Sequence, residues 1–185
     1  MKNIKHLVLL TMLAILAVSC SSDDDHSGST NSENNIAVGT SVYEMKTAIV
    51  EPASLGHYVY LSVSNKTEAE ITAAINGTTI NNVDLFTARI NALDLTPNRT
   101  YNLSEISSLE FIVDGDFIGA DFENGVSQFY LGDGTSGLRV VDGSITVTDY
   151  AVEAISLSFS FTRADGENIT GVYEGSYLYL ASNDE

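Results

Sequence analysis

The sequence predicts an all-β fold, an antiparallel β-barrel or β-sandwich of about 8–10 strands with at most one short helix. Three observations predict it. From Val38 onward the chain is rich in Thr, Ser, Ile, Val, Tyr and Phe, residues that fit a pleated, half-buried surface. Asp-Gly pairs recur at 114–115, 133–134, 142–143 and 165–166, and that dipeptide supports the positive backbone angles of a tight hairpin turn. The run Ile155-Ser156-Leu157-Ser158-Phe159-Ser160-Phe161-Thr162 alternates apolar and hydroxyl residues without error, so one face is buried and the other is wet. Barrel and sandwich share this pattern, and both manage their edge strands.

Taken in order, Val42 to Ile49 is the expected opening strand, and Tyr58 to Val63, which alternates clearly, is the second. Thr67-Glu68-Ala69-Glu70 has the form of a capping box, with Ala-rich residues after it and Gly77 to close a helix. Ile71, Thr72 and Ile75 would equally sit in a strand. Val83 to Ala92 is a longer strand whose end Pro97 marks, and Leu109 to Val113 is ended by Asp114-Gly115-Asp116. Phe117 to Phe122 and Val126 to Leu131 follow, and then Gly143 to Thr148, with Asp142-Gly143 as its turn. Ile155 to Thr162 turns at Asp165-Gly166 into a partner strand, Ile169 to Leu180. On that strand Tyr173, Tyr177 and Tyr179 share a face, where Gly171 and Gly175 suggest a bend or bulge.

The N-terminus gives an address. Leu7 to Val18 is apolar except for Thr11, a run of about 12 residues where a spanning helix needs about 20, so it reads as a removed export signal. With the basic start Met1-Lys2-Asn3-Ile4-Lys5 and the ending Ala17-Val18-Ser19-Cys20, it resembles a bacterial lipoprotein signal peptide with its lipobox. The resemblance implies cleavage before Cys20 and lipidation of its thiol and new amino group. Two or three acyl chains, at about 0.8 kcal/mol per buried CH₂, make a durable membrane anchor. Cys20 is the only cysteine, so no intramolecular disulfide forms. The next residues, Ser21, Ser22, Asp23, Asp24 and Asp25, are similar to the acidic export signal of Bacteroidota surface lipoproteins, which implies an outer-membrane protein facing the cell exterior. The other reading is the start of a solvated acidic tether. Residues 26–36 are Ser/Asn/Gly-rich and read as a flexible spacer. The expected layout is a signal peptide at 1–19, a lipidated tether at 20–37 and a single β domain at 38–185, a size that one core can stabilise.

Removing residues 1–19 takes Lys2 and Lys5, leaving six basic against 25 acidic residues and a formal charge of −19. Such a chain repels nucleic acid, which needs clustered Lys and Arg. The C-terminal third, Gly143-Ser144-Ile145-Thr146-Val147-Thr148, the alternating strand, Asp165-Gly166, and Ile169-Thr170-Gly171-Val172-Tyr173-Glu174-Gly175-Ser176-Tyr177, resembles the closing strands of small Bacteroidota surface lipoproteins. Leu95-Thr96-Pro97-Asn98-Arg99-Thr100-Tyr101 is similar to a turn of the same proteins, with Asn98 and Arg99 where a glycine region is usual. This resemblance implies a compact antiparallel β domain near the cell surface and brings no catalytic residues.

Residues that could carry chemistry are few. After the signal peptide the only histidines are His26 and His57, and no G-x-S-x-G elbow occurs, so neither a Ser-His-Asp triad nor a zinc site is expected. Asp114, Asp116, Asp121 and Glu123 form the densest carboxylate cluster, which in a glycosidase would supply a pair 5–10 Å apart. Asp114-Gly115-Asp116-Phe117-Ile118-Gly119 begins like an EF-hand but has Ile118 and Gly125 where oxygen ligands are needed. A looser calcium site from Asp114, Asp116 or Asp133 and backbone carbonyls is the one cofactor these residues allow. Tyr58, Tyr60, Tyr173, Tyr177 and Tyr179 could form an aromatic patch for a glycan or protein ligand. The expectation is a non-enzymatic, lipid-anchored binding or adhesion module. The alternatives are an accessory or structural subunit of an outer-membrane, glycan-uptake type assembly and, third, an enzyme using a carboxylate pair.

Overall fold

The computed structural model describes residues 34–52, 57–118 and 121–181, which form two six-stranded sheets packed face to face as a β-sandwich rather than a closed barrel. In spatial order the first sheet is β2 (Ser41–Glu44), β1 (Asn35–Val38), β11 (Asn168–Gly175), β10 (Ile155–Arg163), β9 (Val140–Tyr150) and β6 (Arg99–Asn102). The second is β12 (Tyr177–Tyr179), β3 (Thr47–Pro52), β4 (Val59–Ser64), β5 (Ile80–Ile90), β7 (Ile106–Ile118) and β8 (Asp121–Tyr130). Neighbours are antiparallel throughout, except β12, which runs parallel to β3.

The core lies between the sheets. Phe86 from β5 stacks on Phe159 from β10 with centroids 4.5 Å apart and planes 14° from parallel. Phe129 and Phe161 meet across the same gap at 6.3 Å. Both phenylalanines of the alternating strand β10 lie over a glycine of a neighbouring strand. Phe159 faces Gly171 and Phe161 faces Gly143, and a Cβ on either glycine would fall 2.1 Å and 2.5 Å from the facing ring. Gly171 therefore makes room for a ring and does not mark a bend.

Two expected strands are each divided between the sheets. Val42 to Ile49 is broken at Met45-Lys46: the Met45 N–H donates to Asn34 O at 2.8 Å beside the first sheet, and the Lys46 N–H donates to Ser64 O at 2.7 Å in the second. Ile169 to Leu180 is broken at Ser176, between β11 and β12. The Tyr173 hydroxyl joins the two crossings. It donates to Ser176 O and lies 3.4 Å from Lys46 O, and burial raises its pKa.

Other boundaries also differ from expectation. β1 starts at Asn35, inside the stretch assigned to the tether. Its register with β11 and the side-chain bonds of Asn34 to the Glu174 backbone order these residues. Asp114-Gly115 and Asp142-Gly143 lie within strands β7 and β9, not at turns. Asp114 takes φ +55° at a register shift, its N–H held by an Asp84 carboxylate oxygen at 3.1 Å. Phe117 to Phe122 is the end of one strand and the start of the next, with Phe117 paired to Phe122. Asp165-Gly166 is a turn as expected, with the Gly166 N–H donating to Arg163 O at 2.9 Å.

The segment after β4 is helical. In α1 (Glu68–Ile75) the Glu70 carboxylate accepts the Thr67 N–H at 2.9 Å and the Glu70 N–H donates to Thr67 Oγ1 at 3.4 Å, completing the capping box. The helix closes at Gly77, φ +94°, with Gly77 N–H to Ala74 O at 2.8 Å and Thr78 N–H to Ala73 O at 2.9 Å. That paired 5→2 and 6→1 closure needs a left-handed residue, which glycine supplies without strain. An eight-residue helix is not stable alone, and it is held by burying Ile71 and Ala74.

Candidate functional site

The outward face of the second sheet carries an open polar site. Strand register sets Glu51, Tyr60, Arg89 and Ser108 side by side in one row across β3, β4, β5 and β7. One step along the strands the next row contains Ser62 and Thr87, also directly paired. Inward-facing neighbours such as Leu61, Ala88 and Ile90 are buried in the core, so alternation forces these six side chains outward. Long side chains in one row stand beside short hydroxyls in the next, and the difference in height leaves an open hollow of about 250 Å³.

Tyr58 completes the arrangement. Its ring meets Tyr60 edge to face at 5.3 Å and 78°. The Arg89 guanidinium lies over the Tyr58 ring, 3.7 Å from its centroid. Arg89 Nε is buried without a hydrogen-bond partner, and no carboxylate lies within ion-pair distance of Arg89 among the described residues. The stack fixes the guanidinium plane, and the ring quadrupole compensates part of the charge. Chemically the hollow offers a fork of N–H donors from Arg89, an acceptor carboxylate from Glu51, a tyrosine between them and a floor of hydroxyls.

The five tyrosines anticipated as one patch are divided. Tyr58 and Tyr60 belong to the hollow. Tyr173 is a core residue, 3% exposed, that ties the two crossings. Tyr177 and Tyr179 pair with the inward-facing Ala48 and Val50, so they point to the core side at the sheet edge. The Tyr177 hydroxyl donates to Ala151 O at 3.0 Å and its ring packs 5.4 Å from Tyr150. Within that contact burial holds the Tyr150 phenol well above its usual range. Tyr179 is half exposed.

The acidic cluster stays on the surface. Asp116 pairs across strands with Glu123, and its carboxylate accepts from Asn124 Nδ2 at 3.0 Å. Asp114, Asp121 and Glu123 are exposed. Asp133 lies in the loop beyond β8, at the other end of that strand from the Asp116–Glu123 pair, so the calcium candidates Asp114, Asp116 and Asp133 are not brought together. Among the described residues no group of three or more His, Cys, Asp or Glu is placed to hold a metal. Burial raises the Asp84 pKa, against the Asp114 N–H and Asn65 amide that its carboxylate accepts. His57 is an exposed residue before β4. Cys20 and the export-signal residues Ser21, Ser22, Asp23, Asp24 and Asp25 lie outside the described residues.

Sequence reasoning reached Tyr58 and Tyr60 but not Glu51, Ser62, Thr87, Arg89 or Ser108. The available signal was alternation within residues 59–64 and 85–90, which puts Tyr60, Ser62, Thr87 and Arg89 on polar faces. That these faces adjoin depends on register. No family model, curated protein or solved structure matches this chain.

Proposed function

We propose that the chain is a non-enzymatic binding module, lipidated at Cys20 and displayed on the cell exterior, that meets its ligand with the outward face of the β12–β3–β4–β5–β7–β8 sheet. The observation that carries this reading is the open hollow lined by Glu51, Tyr60, Ser62, Thr87, Arg89 and Ser108. It combines one aromatic ring with a guanidinium, a carboxylate and three hydroxyls, groups that can stack on and hydrogen-bond a polar ligand. At about 250 Å³ it falls below the roughly 300–1,000 Å³ of enclosed small-molecule pockets. It fits one ring or one side chain of a larger ligand that continues across the sheet.

Three experiments test the reading. Protease shaving of intact cells should cleave the protein, and Cys20→Ala should release it from the membrane fraction; protection on whole cells, or retention of the variant on membranes, would overturn display and anchoring respectively. Cells displaying the wild type are then compared with cells displaying Tyr60→Ala/Arg89→Ala at equal level for retention on immobilised extracellular glycans and proteins. Retention by the wild type that the double variant loses supports this face as the binding surface. Equal retention refutes it.

A further inference from the structure

We infer that the hollow takes a neutral saccharide, one ring of which lies on Tyr60 with its hydroxyls divided between Arg89 and Glu51. The inference names the ligand class for the surface proposed above and rests on that proposal.

The argument begins with how the polar groups are disposed. Tyr60 stands between Glu51 on β3 and Arg89 on β5, each its direct cross-strand neighbour. A ligand covering the Tyr60 ring therefore meets a donor fork on one side and an acceptor carboxylate on the other. A sugar ring suits this because every hydroxyl both donates and accepts, and adjacent hydroxyls match the paired atoms of a guanidinium or a carboxylate. Its C–H face is the apolar surface that a tyrosine ring covers. The Ser62 and Thr87 hydroxyls on the floor and Ser108 at the side extend the same chemistry.

Charge decides between neutral and anionic sugars. Arg89 alone would favour a carboxylate, but Glu51 lines the same hollow and repels one at short range. Without residues 1–19 the chain around it carries a formal charge of −19. Exposed charges act over about 8 Å at physiological salt, so Glu51 matters more than the distant ones, and both disfavour an anion. A neutral ring satisfies Arg89 and Glu51 together.

Preorganisation is the second independent support. Arg89 is held by the Tyr58 ring at 3.7 Å and, among the described residues, has no carboxylate to release before it binds. Tyr60 is braced edge to face by Tyr58. A ligand arriving here orders few side chains, which lowers the cost of association.

The test uses the purified full chain in mild detergent, titrated calorimetrically with cellohexaose, maltohexaose and mannohexaose, and with hexagalacturonate as the acidic counterpart. Binding of at least one neutral hexasaccharide is expected, with hexagalacturonate weaker. Tyr60→Ala and Arg89→Ala should each weaken that binding about tenfold or more, while Ser158→Ala on the other sheet leaves it unchanged. Unchanged thermal midpoints show that the variants are folded, and Arg89→Lys, which keeps the charge but loses the fork, should also weaken binding. Hexagalacturonate binding more tightly than every neutral probe would overturn the neutral class. Silence across the neutral panel would overturn the saccharide. If whole-cell capture still depends on Tyr60 and Arg89 in that case, the binding surface stands and the ligand is a protein; if capture is independent of them, the proposed function falls as well.

Discussion

Gly171 sits directly across from Phe159, and an added methyl there has nowhere to go. In Gly171→Ala the new Cβ would stand 2.1 Å from Phe159 Cζ and 2.4 Å from Cε1, where carbon atoms settle at about 3.5–4.0 Å. The ring must retreat by more than an ångström. Its far side is occupied by Phe86, stacked at 4.5 Å, and its flank by Phe161 at 5.4 Å. Overpacking without a relaxation path costs about 3 kcal/mol, the upper part of the usual range. With a urea m-value of about 2 kcal/mol/M for a domain of this size, the midpoint should fall by about 1.5 M. Phe159→Ala should cost about 3–5 kcal/mol, because the ring is nearly fully buried between the sheets. The double variant is the decisive measurement. Once the ring is gone the alanine methyl meets no obstacle, and alanine recovers about 0.5–1 kcal/mol of the backbone entropy that glycine loses. Gly171→Ala/Phe159→Ala should therefore be no less stable than Phe159→Ala alone, a coupling of about 3 kcal/mol. Additive penalties to within about 0.5 kcal/mol, or a Gly171→Ala protein as stable as wild type, would refute the reasoning.

Other expectations are more local. Thr67→Ala removes the helix cap and should cost about 1 kcal/mol in urea denaturation, while Thr67→Ser should cost little. Tyr173→Phe leaves the Ser176 carbonyl without its phenol donor and should cost about 1–2 kcal/mol without altering saccharide titrations. Stability should also fall in acid. The Thr67 backbone N–H holds Glu70 below 4.5, the Asn102 backbone N–H does the same for Glu105, and the Arg163 guanidinium holds Asp165 below 3.8. Each depressed carboxylate contributes stability above its unfolded value that is lost as pH falls through its folded value. Asp84 has the opposite sign: its raised pKa makes the folded state take up the proton first, which offsets part of the loss. The thermal midpoint should decline below about pH 4.5 in wild type, less steeply in Glu70→Gln and more steeply in Asp84→Asn; identical pH profiles for all three would contradict these assignments.

The alternating pattern made the sheets legible. Residues 155–162 fall on β10 with the apolar members inward, and Phe159 and Phe161 are buried as the periodicity requires. The capping box and Gly77 were both visible around α1, yet Ile71 and Ile75 kept a strand reading open until the burial of Ile71 and Ala74 settled it. The crossings at Met45-Lys46 and Ser176 were not legible, because a strand that changes sheets keeps its composition. Asp-Gly pairs misled at 114 and 142 for a related reason. The conformation that turns a hairpin also makes a bulge, and only the neighbouring strand distinguishes them. The site stayed hidden on the same ground: Tyr60 and Arg89 are far apart in sequence and adjacent only through register.

Register also sets the order in which this domain can be completed. Asn34 bonds to the backbone of Glu174 across 140 positions of sequence, and β1 holds its place only between β2 and β11. The parallel edge of β3 likewise waits for β12. A chain emerging from its N-terminus makes every other strand before it can close either sheet. Such long-range closure is slow, since loop entropy is spent before the contacts form. Under the export proposed above this lateness would be useful: a sandwich that cannot lock until residues 168–179 have emerged stays threadable until the rest has crossed.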